Sequence, residues 1–240
     1  MSIIKVKNVS VIIEGNLILD DISFSLNKGD YVGLIGPNGA GKTTLIKTIL
    51  GKIKYSQGSI HIKSGTKIGY VPQNYKLSQV VPISVREVLL MGKNAESKYS
   101  EEDVLKLVGL EKEFLQKNFH DLSGGQAQRV IIARSLFGNP DVLFFDEPLT
   151  GVDFETKLKL HELLSHLNKT QGLTILFVSH EVEHIIHACH KILCLHKKLH
   201  EGCHPIDFIK GKIKCPVIET TFKMCPVHHH HKTQSGYSTY

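Results

Sequence analysis

The sequence predicts an α/β fold, in which a mixed, largely parallel β-sheet is flanked by helices. Short apolar runs typical of buried strands alternate along the chain with segments whose apolar residues recur at the helical period. Runs that are apolar throughout are typical of parallel strands covered on both faces. With 240 residues, 41% of them hydrophobic, the chain is long enough to bury a substantial core.

The first predicted elements are strands, with one helix among them. Residues 17–26 alternate between apolar and polar side chains, which predicts a strand with one buried face. Residues 31–36 are an apolar run that stops at glycine, as a buried strand does when it leads into a loop. A helix is predicted over 43–50, where apolar residues take helical spacing. Short strands are predicted over 58–62 and 67–71.

Residues 83–138 have a helical character, and we expect them to form an inserted subdomain. Apolar residues take the helical period over 84–91, 101–110 and 126–137. Ser100 stands where it can cap the second of these helices. The segment therefore interrupts a core that is otherwise rich in strands.

Strands and helices alternate again after a Gly-Asn-Pro break at 138–140. The predicted elements are an apolar strand over 142–145, an amphipathic helix over 155–167, a strand over 173–180, a helix over 181–190 and a hairpin over 191–202. This return to strands predicts that the core is completed by the second half of the chain.

We expect one domain over 1–206, with its core in about 1–82 and 139–206, followed by a polar tail over 207–240. The C-terminal region is rich in cysteine and histidine: all five cysteines lie after residue 188, and eleven of the fifteen histidines lie from His180 onward. Because no secretory signal precedes them, the cysteines are expected to be reduced thiols.

Charge and hydropathy bear on partners and location. The net charge of +6 is modest and interleaved with acidic residues, which favours an ordinary, mildly basic surface over a nucleic-acid interface. No apolar run approaches the length needed to span a bilayer. We expect no nucleic-acid partner, and a protein that stays in the cytosol unless a partner holds it at a membrane.

Residues 36–43 read GPNGAGKT and fit the phosphate-binding pattern G-x-x-x-x-G-K-[ST] between a predicted strand and a predicted helix. A chance match in a chain of this length has odds of about one in a hundred. Backbone N–H groups of such a loop turn toward phosphate oxygens at the positive end of the helix. Lys42 would reach the β- and γ-phosphates, and the Thr43 hydroxyl would bind Mg²⁺. The nucleotide-binding residues predicted here are Gly36, Pro37, Asn38, Gly39, Ala40, Gly41, Lys42, Thr43 and Thr44.

Residues 142–148 read VLFFDEP, an apolar strand that ends in two acids. In parallel sheets the carboxyl ends of strands lie beside the phosphate loop. Asp146 would therefore hold Mg²⁺, usually through water, and Glu147 could act as general base on the attacking water. An acid-capped strand is the alternative for this stretch taken alone.

Residues 122–126 read LSGGQ and open a predicted helix. Ser123, Gly124 and Gly125 would place a hydroxyl and free backbone N–H groups at the N-terminus of that helix, which makes a second anion cradle. For this stretch alone, an ordinary serine cap with flexible glycines is the alternative.

Taken in order, these motifs resemble those of the ATP-binding subunits of ABC transporters, over about residues 3–205. The chain carries GPNGAGKT, Gln73 in GYVPQ, LSGGQ, VLFFDEP, Asp153 in LTGVD and His180 in FVSH. The resemblance implies a P-loop NTPase core with an N-terminal antiparallel β part and an inserted helical subdomain. It also implies ATP hydrolysis with Mg²⁺ in a head-to-tail homodimer.

The resemblance further assigns roles to single residues. Ser123 and Gly125, with their neighbours Gly124 and Gln126, would close on ATP held by Lys42 of the other subunit, so a monomer should hydrolyse ATP poorly. Gln73 would sense Mg²⁺ and the attacking water. His180 would contact the γ-phosphate. Asp153 would make a contact across the dimer interface.

The resemblance also implies partners outside the chain. Integral membrane permease subunits would receive the ATPase at the cytoplasmic side of the membrane, through a surface formed largely by residues 74–91. An external solute-binding protein would act indirectly, by delivering cargo to those subunits. One departure concerns the adenine: the family places an aromatic residue where this chain has Ile13, which predicts weak discrimination between ATP and GTP.

Residues 191–205 resemble a stretch of ATPases that import zinc, manganese or iron, with His196 in place of the usual Asn. Cys194 in this stretch is expected to be a small buried strand residue. The resemblance favours import of zinc or a related metal. The alternatives are an importer for another substrate, or a soluble relative that acts in a process such as cluster assembly.

The tail carries donors that suit zinc but match no closed structural site. A purification tag usually has six or more histidines at a terminus, whereas this run has four and continues, so we interpret it as native. The hypothesis is an accessory site that samples cytosolic zinc, formed from Cys215, Cys225, His228, His229, His230 and His231.

Overall fold

The computed structural model describes residues 1–73, 82–147, 154–179 and 189–203, without the side chains of 154–156 and 200–203. Within these ranges the chain forms two β-sheets and five α-helices. None of the helices in the described ranges combines the length and the apolar character needed to cross a membrane.

The smaller sheet is antiparallel and has the order β2-β1-β4. Its strands are β1 (Ser2–Ile13), β2 (Asn16–Asn27) and β4 (Gln57–Ile62). In β2 the buried side chains alternate with exposed ones, because one face of this sheet packs on the core. The strand predicted over 17–26 is therefore confirmed, as is the one over 58–62.

The larger sheet has the order β5-β6-β7-β3-β8-β9, and all of its pairs except the last are parallel. Its strands are β3 (Tyr31–Ile35), β5 (Ile68–Val71), β6 (Val142–Asp146), β7 (Thr174–Val178), β8 (Lys191–His196) and β9 (Lys198–Cys203). The three central strands, β6, β7 and β3, are buried along their whole length. This is the pattern that their uninterrupted apolar sequences predict.

Five helices surround the sheets in the described ranges. They are α1 (Lys42–Ile49), α2 (Val85–Leu90), α3 (Glu101–Leu107), α4 (Gly124–Phe137) and α5 (Phe154–Gln171), with 3₁₀ turns at Lys112–Gln116 and Phe119–Asp121. Ser84, Ser100 and Ser123 each begin a helix with a capping box. The prediction that Ser100 is an N-cap is confirmed.

The larger sheet separates two apolar clusters. Helices α2 to α5 cover one face of it, and α1 with the antiparallel sheet covers the other. Because successive side chains of a strand point to opposite faces, Phe144 packs in one cluster and Phe145 in the other. The expected α/β architecture, with a mixed, largely parallel sheet flanked by helices, is confirmed.

Some predicted elements differ from the structure or lie outside it. The sequence patterns gave no separate strand at 2–13, because the alternation of β1 is broken by bulges such as that between Val6 and Val9. The helix predicted over 101–110 ends at Leu107, where Gly109 has a φ of 68°. The helix predicted over 181–190 and the tail over 207–240 lie largely outside the described residues.

Candidate active site

The phosphate loop joins β3 to α1 and depends on glycine for its shape. Gly41 caps α1 with a φ of 96°, in the left-handed region that other residues rarely adopt. At Gly36, a Cβ atom would lie 2.2 Å from the carbonyl oxygen of Leu195 on β8. The loop therefore packs directly against β8, where the parallel strands β3 and β8 end.

Lys42 is buried in this loop and has three oxygen partners. Its Nζ donates to the carbonyl oxygens of Gly36 and Pro37 at 2.8 and 3.1 Å. It also forms an ion pair with Glu147, with 3.1 Å between Nζ and Oε1. The ammonium group is thus held at the centre of the loop, beside the carboxyl end of β6.

Thr43 and Asp146 meet where α1 begins and β6 ends. The Thr43 hydroxyl donates to Oδ1 of Asp146 at 2.9 Å, and the Tyr70 hydroxyl donates to Oδ2 at 3.0 Å. Burial raises the pKa of the Asp146 carboxyl above its usual value, and these two hydrogen bonds oppose the rise. A hydroxyl and a carboxylate side by side are hard oxygen donors of the kind that Mg²⁺ prefers.

Tyr70 was not among the residues that the sequence singled out. It lies inside the GYVPQ motif, two positions before Pro72, on β5, where its side chain is partly buried. Burial and the Asp146 carboxylate raise the pKa of Tyr70 well above its ordinary value, so its hydroxyl keeps its proton and donates. The sequence signal for it is its place three residues before Gln73 in the same motif, whereas its contact with Asp146 follows from the pairing of β5 with β6.

Glu147 follows β6 in a left-handed conformation, with a φ of 48°. Its backbone N–H donates to the carbonyl of Val178 at 3.2 Å. Its carboxylate accepts a hydrogen bond from Gln73, with 3.0 Å between Nε2 and Oε2. The structure therefore brings together Lys42, Gln73 and Glu147, which the sequence places far apart.

These residues border a cleft of about 760 Å³. Its lining residues are Ile13, Glu14, Asn16, Ile18, Asn38, Gly39, Ala40, Gly41, Lys42, Thr43, Thr44, Gln73 and Glu147. Volumes of this order are typical of small-molecule sites. The lining combines the phosphate loop with the apolar side chains of Ile13 and Ile18, so the chemistry of the cleft fits a nucleotide. Ile13 lines this cleft, and its contact with the base stays a prediction.

The LSGGQ segment lies apart from this cleft. The Ser123 hydroxyl accepts from the backbone N–H of Gln126 at 3.3 Å, and the Gln126 side chain accepts from the N–H of Ser123 at 3.1 Å. At Gly124 and Gly125, a Cβ would meet no atom within 4 Å. Among the described residues, none of these four lines the cleft. The start of α4 thus presents an open backbone surface that the cleft of the same chain does not use.

Several predicted residues cannot be placed relative to the cleft. Asp153 and His180 lie outside the described residues, as does the whole proposed zinc set of the tail. In the described part of the chain, no three His, Cys, Asp or Glu side chains come together as a metal site would require. Cys194 is a fully buried residue of β8, as predicted.

Residues 19–150 match the profile of the ABC transporter family. The chain belongs to the ABC transporter family. The family and fold predicted from the motif order are confirmed, and the chain is an ATPase of the ABC type. The match ends within the segment that follows Glu147, so it includes the phosphate loop, Gln73, LSGGQ and β6.

Two curated ABC relatives are similar over most of their length. The chain is 40% identical over 211 residues to the "Probable metal transport system ATP-binding protein" of Thermotoga maritima, covering 85% of each chain. It is 42% identical over 195 residues to the zinc import ATP-binding protein ZnuC of Vibrio cholerae serotype O1, covering 80% of this chain and 73% of the relative.

A solved ABC structure has the same fold. It is the dimeric, post-hydrolysis state of the ATP-binding cassette MJ0796, bound to ADP and Pi. The superposition has a TM-score of 0.71 at 27% identity and covers 82% of this chain and 98% of that one. The cassette that this chain resembles is thus dimeric and carries nucleotide hydrolysis products.

Proposed function

We propose that this chain binds and hydrolyses ATP to power a membrane ABC transporter that imports zinc or a related divalent metal. The observation that carries the ATPase part is that Lys42, Thr43 and Glu147 line a cleft of nucleotide size, with Asp146 in contact with Thr43 and Glu147 in contact with Lys42. The metal cargo is supported by the printed names of the relatives and by the resemblance of residues 191–205 to metal importers.

The phosphate loop would bind the triphosphate. Its backbone N–H groups and the N-terminal end of α1 attract anionic oxygens, and Lys42 supplies the positive charge for the β- and γ-phosphates. Lys42 is currently shared between two carbonyl groups and Glu147, so phosphate would replace some of these contacts. Binding of ATP would thereby weaken the ion pair between Lys42 and Glu147.

Thr43 and Asp146 would hold Mg²⁺ at the phosphates. The ion would neutralise charge that develops on the phosphate oxygens during transfer. The fit rests on the 2.9 Å contact between the Thr43 hydroxyl and the Asp146 carboxylate, which sets two oxygen ligands side by side.

Glu147 would accept the proton of the attacking water. Its carboxylate contacts both Lys42 and Gln73, so it lies beside the position of the γ-phosphate and is oriented by an amide. Gln73 would report the state of the site to the membrane subunits, because residues 74–81 follow it directly and lead to α2. His180 would contact the γ-phosphate from the end of β7, whose last strand residue, Val178, pairs with Asp146.

The active form would be a head-to-tail homodimer. The cleft of the same chain is not lined by Ser123, Gly124, Gly125 or Gln126. The start of α4 is nevertheless open on one side, because a Cβ at Gly124 or Gly125 would meet no atom within 4 Å. A second subunit could place its γ-phosphate there, at the positive end of α4. The dimeric state of the related cassette with ADP and Pi supports this arrangement. Asp153 would contact the partner across the interface.

Integral membrane permease subunits would be the other partners, with the ATPase bound peripherally at the cytoplasmic side of the membrane. The cargo would pass through those subunits after delivery by an external solute-binding protein. This is supported by the names of relatives that carry the words metal transport and zinc import. Nucleic acid is not among the proposed partners.

The proposal is tested by purifying the chain from its native membranes and reconstituting it with any integral membrane protein that accompanies it. We expect ATP hydrolysis that rises when a zinc-loaded external binding protein is added. If a binding protein loaded with a non-metal solute stimulates ATP hydrolysis instead, the proposed metal cargo is wrong, but the proposed ATPase activity is retained. If no membrane protein accompanies the chain, a soluble ATPase role, such as cluster assembly, replaces the transporter.

A further inference from the structure

The relation between Tyr70 and Asp146 follows from the pairing of β5 with β6. Tyr70 lies directly opposite Phe144 in the parallel register, and both pack in the same apolar cluster. Asp146 is two residues beyond Phe144 and therefore points to the same face of the sheet. This diagonal spacing allows the long side chain of Tyr70 to reach Oδ2 of Asp146 at 3.0 Å.

The Asp146 carboxylate is consequently held from both sides. Thr43 donates to Oδ1 and Tyr70 donates to Oδ2, while Asp146 itself is only 1% exposed. With one donor on each oxygen, the carboxylate plane cannot turn without losing a hydrogen bond in a buried position, which is unfavourable. The orientation of Asp146 thus depends on a residue from a different strand.

Tyr70 is itself fixed by two further contacts. The Lys52 ammonium lies 5.0 Å from the centroid of its ring, and the Ser135 hydroxyl of α4 donates to its backbone carbonyl at 3.2 Å. Lys52 follows the helix that begins with Lys42 and Thr43. The phenol ring therefore contacts the segment that follows α1, the helix whose first turn contacts Asp146.

We propose that Tyr70 is a positioning residue for the magnesium site: it orients Asp146 so that the carboxylate and the Thr43 hydroxyl together can hold the ion. Groups that hydrogen-bond a metal-binding carboxylate set its direction and basicity. Removal of the Tyr70 hydroxyl leaves Oδ2 of Asp146 without this donor and frees the carboxylate to rotate. The inference rests on the proposed Mg²⁺–ATP site.

The test uses the full chain, ADP and Mn²⁺, with bound Mn²⁺ measured by electron paramagnetic resonance. We expect Tyr70→Phe to weaken Mn²⁺ binding in the presence of ADP roughly tenfold, as loss of such outer contacts does at other metal sites. ADP binding in EDTA should change by less than about twofold, because Tyr70 does not line the cleft. Tyr55→Phe, at an exposed tyrosine, is the matched control and should leave both unchanged.

A double-substitution cycle separates positioning from a general structural effect. If Tyr70 acts through Asp146, Tyr70→Phe should weaken Mn²⁺ binding in the wild-type background and have little effect beside Asp146→Asn. Equal effects in both backgrounds would overturn the inference, as would a Tyr70→Phe variant that binds Mn²⁺ like the wild type. Thermal unfolding of each variant shows that it is folded. If the wild type with ADP binds Mn²⁺ no more tightly than ADP does in solution, the proposed magnesium site is wrong, and this inference fails with it.

Discussion

Lys42 and Glu147 form an ion pair, with 3.1 Å between Nζ and Oε1, at the junction of the phosphate loop and β6. The residue proposed to bind the γ-phosphate thus contacts the residue proposed to activate water. Gln73 contacts the same carboxylate on its other oxygen. One carboxylate therefore connects the phosphate loop with the segment that leads to α2.

Gly36→Ala should destabilise the fold. A Cβ at this position would lie 2.2 Å from a backbone oxygen of Leu195, and neither strand can move without disturbing the sheet. We expect a loss of about 2 kcal/mol or more in the free energy of unfolding, measured by urea denaturation. Gly124→Ala is the matched control: with no atom within 4 Å of the new Cβ, stability should stay the same or rise by up to about 1 kcal/mol. Equal stability of Gly36→Ala and the wild type would contradict this packing.

The head-to-tail dimer is best tested in a variant that hydrolyses ATP slowly and therefore keeps it bound. A Glu147→Gln variant should dimerise when ATP is added, as measured by light scattering after gel filtration, because slow hydrolysis prolongs the ATP-bound state. Adding Gly125→Asp should prevent the dimer, since a negative charge at the start of α4 repels the partner's phosphate. Binding of ATP to the monomer should be unaffected, as Gly125 does not line the cleft. Dimers that persist with Gly125→Asp would contradict the head-to-tail arrangement.

The apolar wall of the cleft predicts weak selection of the base. Ile13, which is 37% exposed, offers contact without ring stacking, so ATP and GTP should compete for the site with similar affinity. Ile13→Tyr should raise ATP affinity by up to about tenfold, which corresponds to the 0.5–1.5 kcal/mol typical of aromatic pairs. Ile12→Tyr, at an exposed neighbour that does not line the cleft, should have no effect. A strong preference of the wild type for ATP in a competition assay would refute the idea.

The tail is tested in the full chain by equilibrium dialysis against Zn²⁺. Changing Cys215 and Cys225 to Ser and residues 228–231 to Ala removes the proposed soft donors. We expect the wild type to take up more Zn²⁺ than this variant, while both hydrolyse ATP alike. The zinc hypothesis fails if their uptake is the same.

The sequence could predict most of this architecture because its signals are local. Uninterrupted apolar runs such as 142–145 gave the parallel strands, and the spacing of glycines around Lys42 gave the phosphate loop. The contacts of Tyr70 could not be predicted, since they depend on which strands are neighbours and in what register. The ion pair between Lys42 and Glu147 likewise depends on the left-handed backbone at Glu147, which no residue pattern indicates.

The role of Glu147 in activating water for ATP hydrolysis is measured by steady-state hydrolysis of Mg²⁺–ATP by Glu147→Gln. The amide keeps the size of the side chain but cannot accept the proton. We expect the turnover number to fall roughly 100-fold or more while ATP still binds. Glu102→Gln, at an exposed acid of α3, is the control and should retain full activity. A Glu147→Gln variant that hydrolyses ATP at the wild-type rate would show that Glu147 is not the general base.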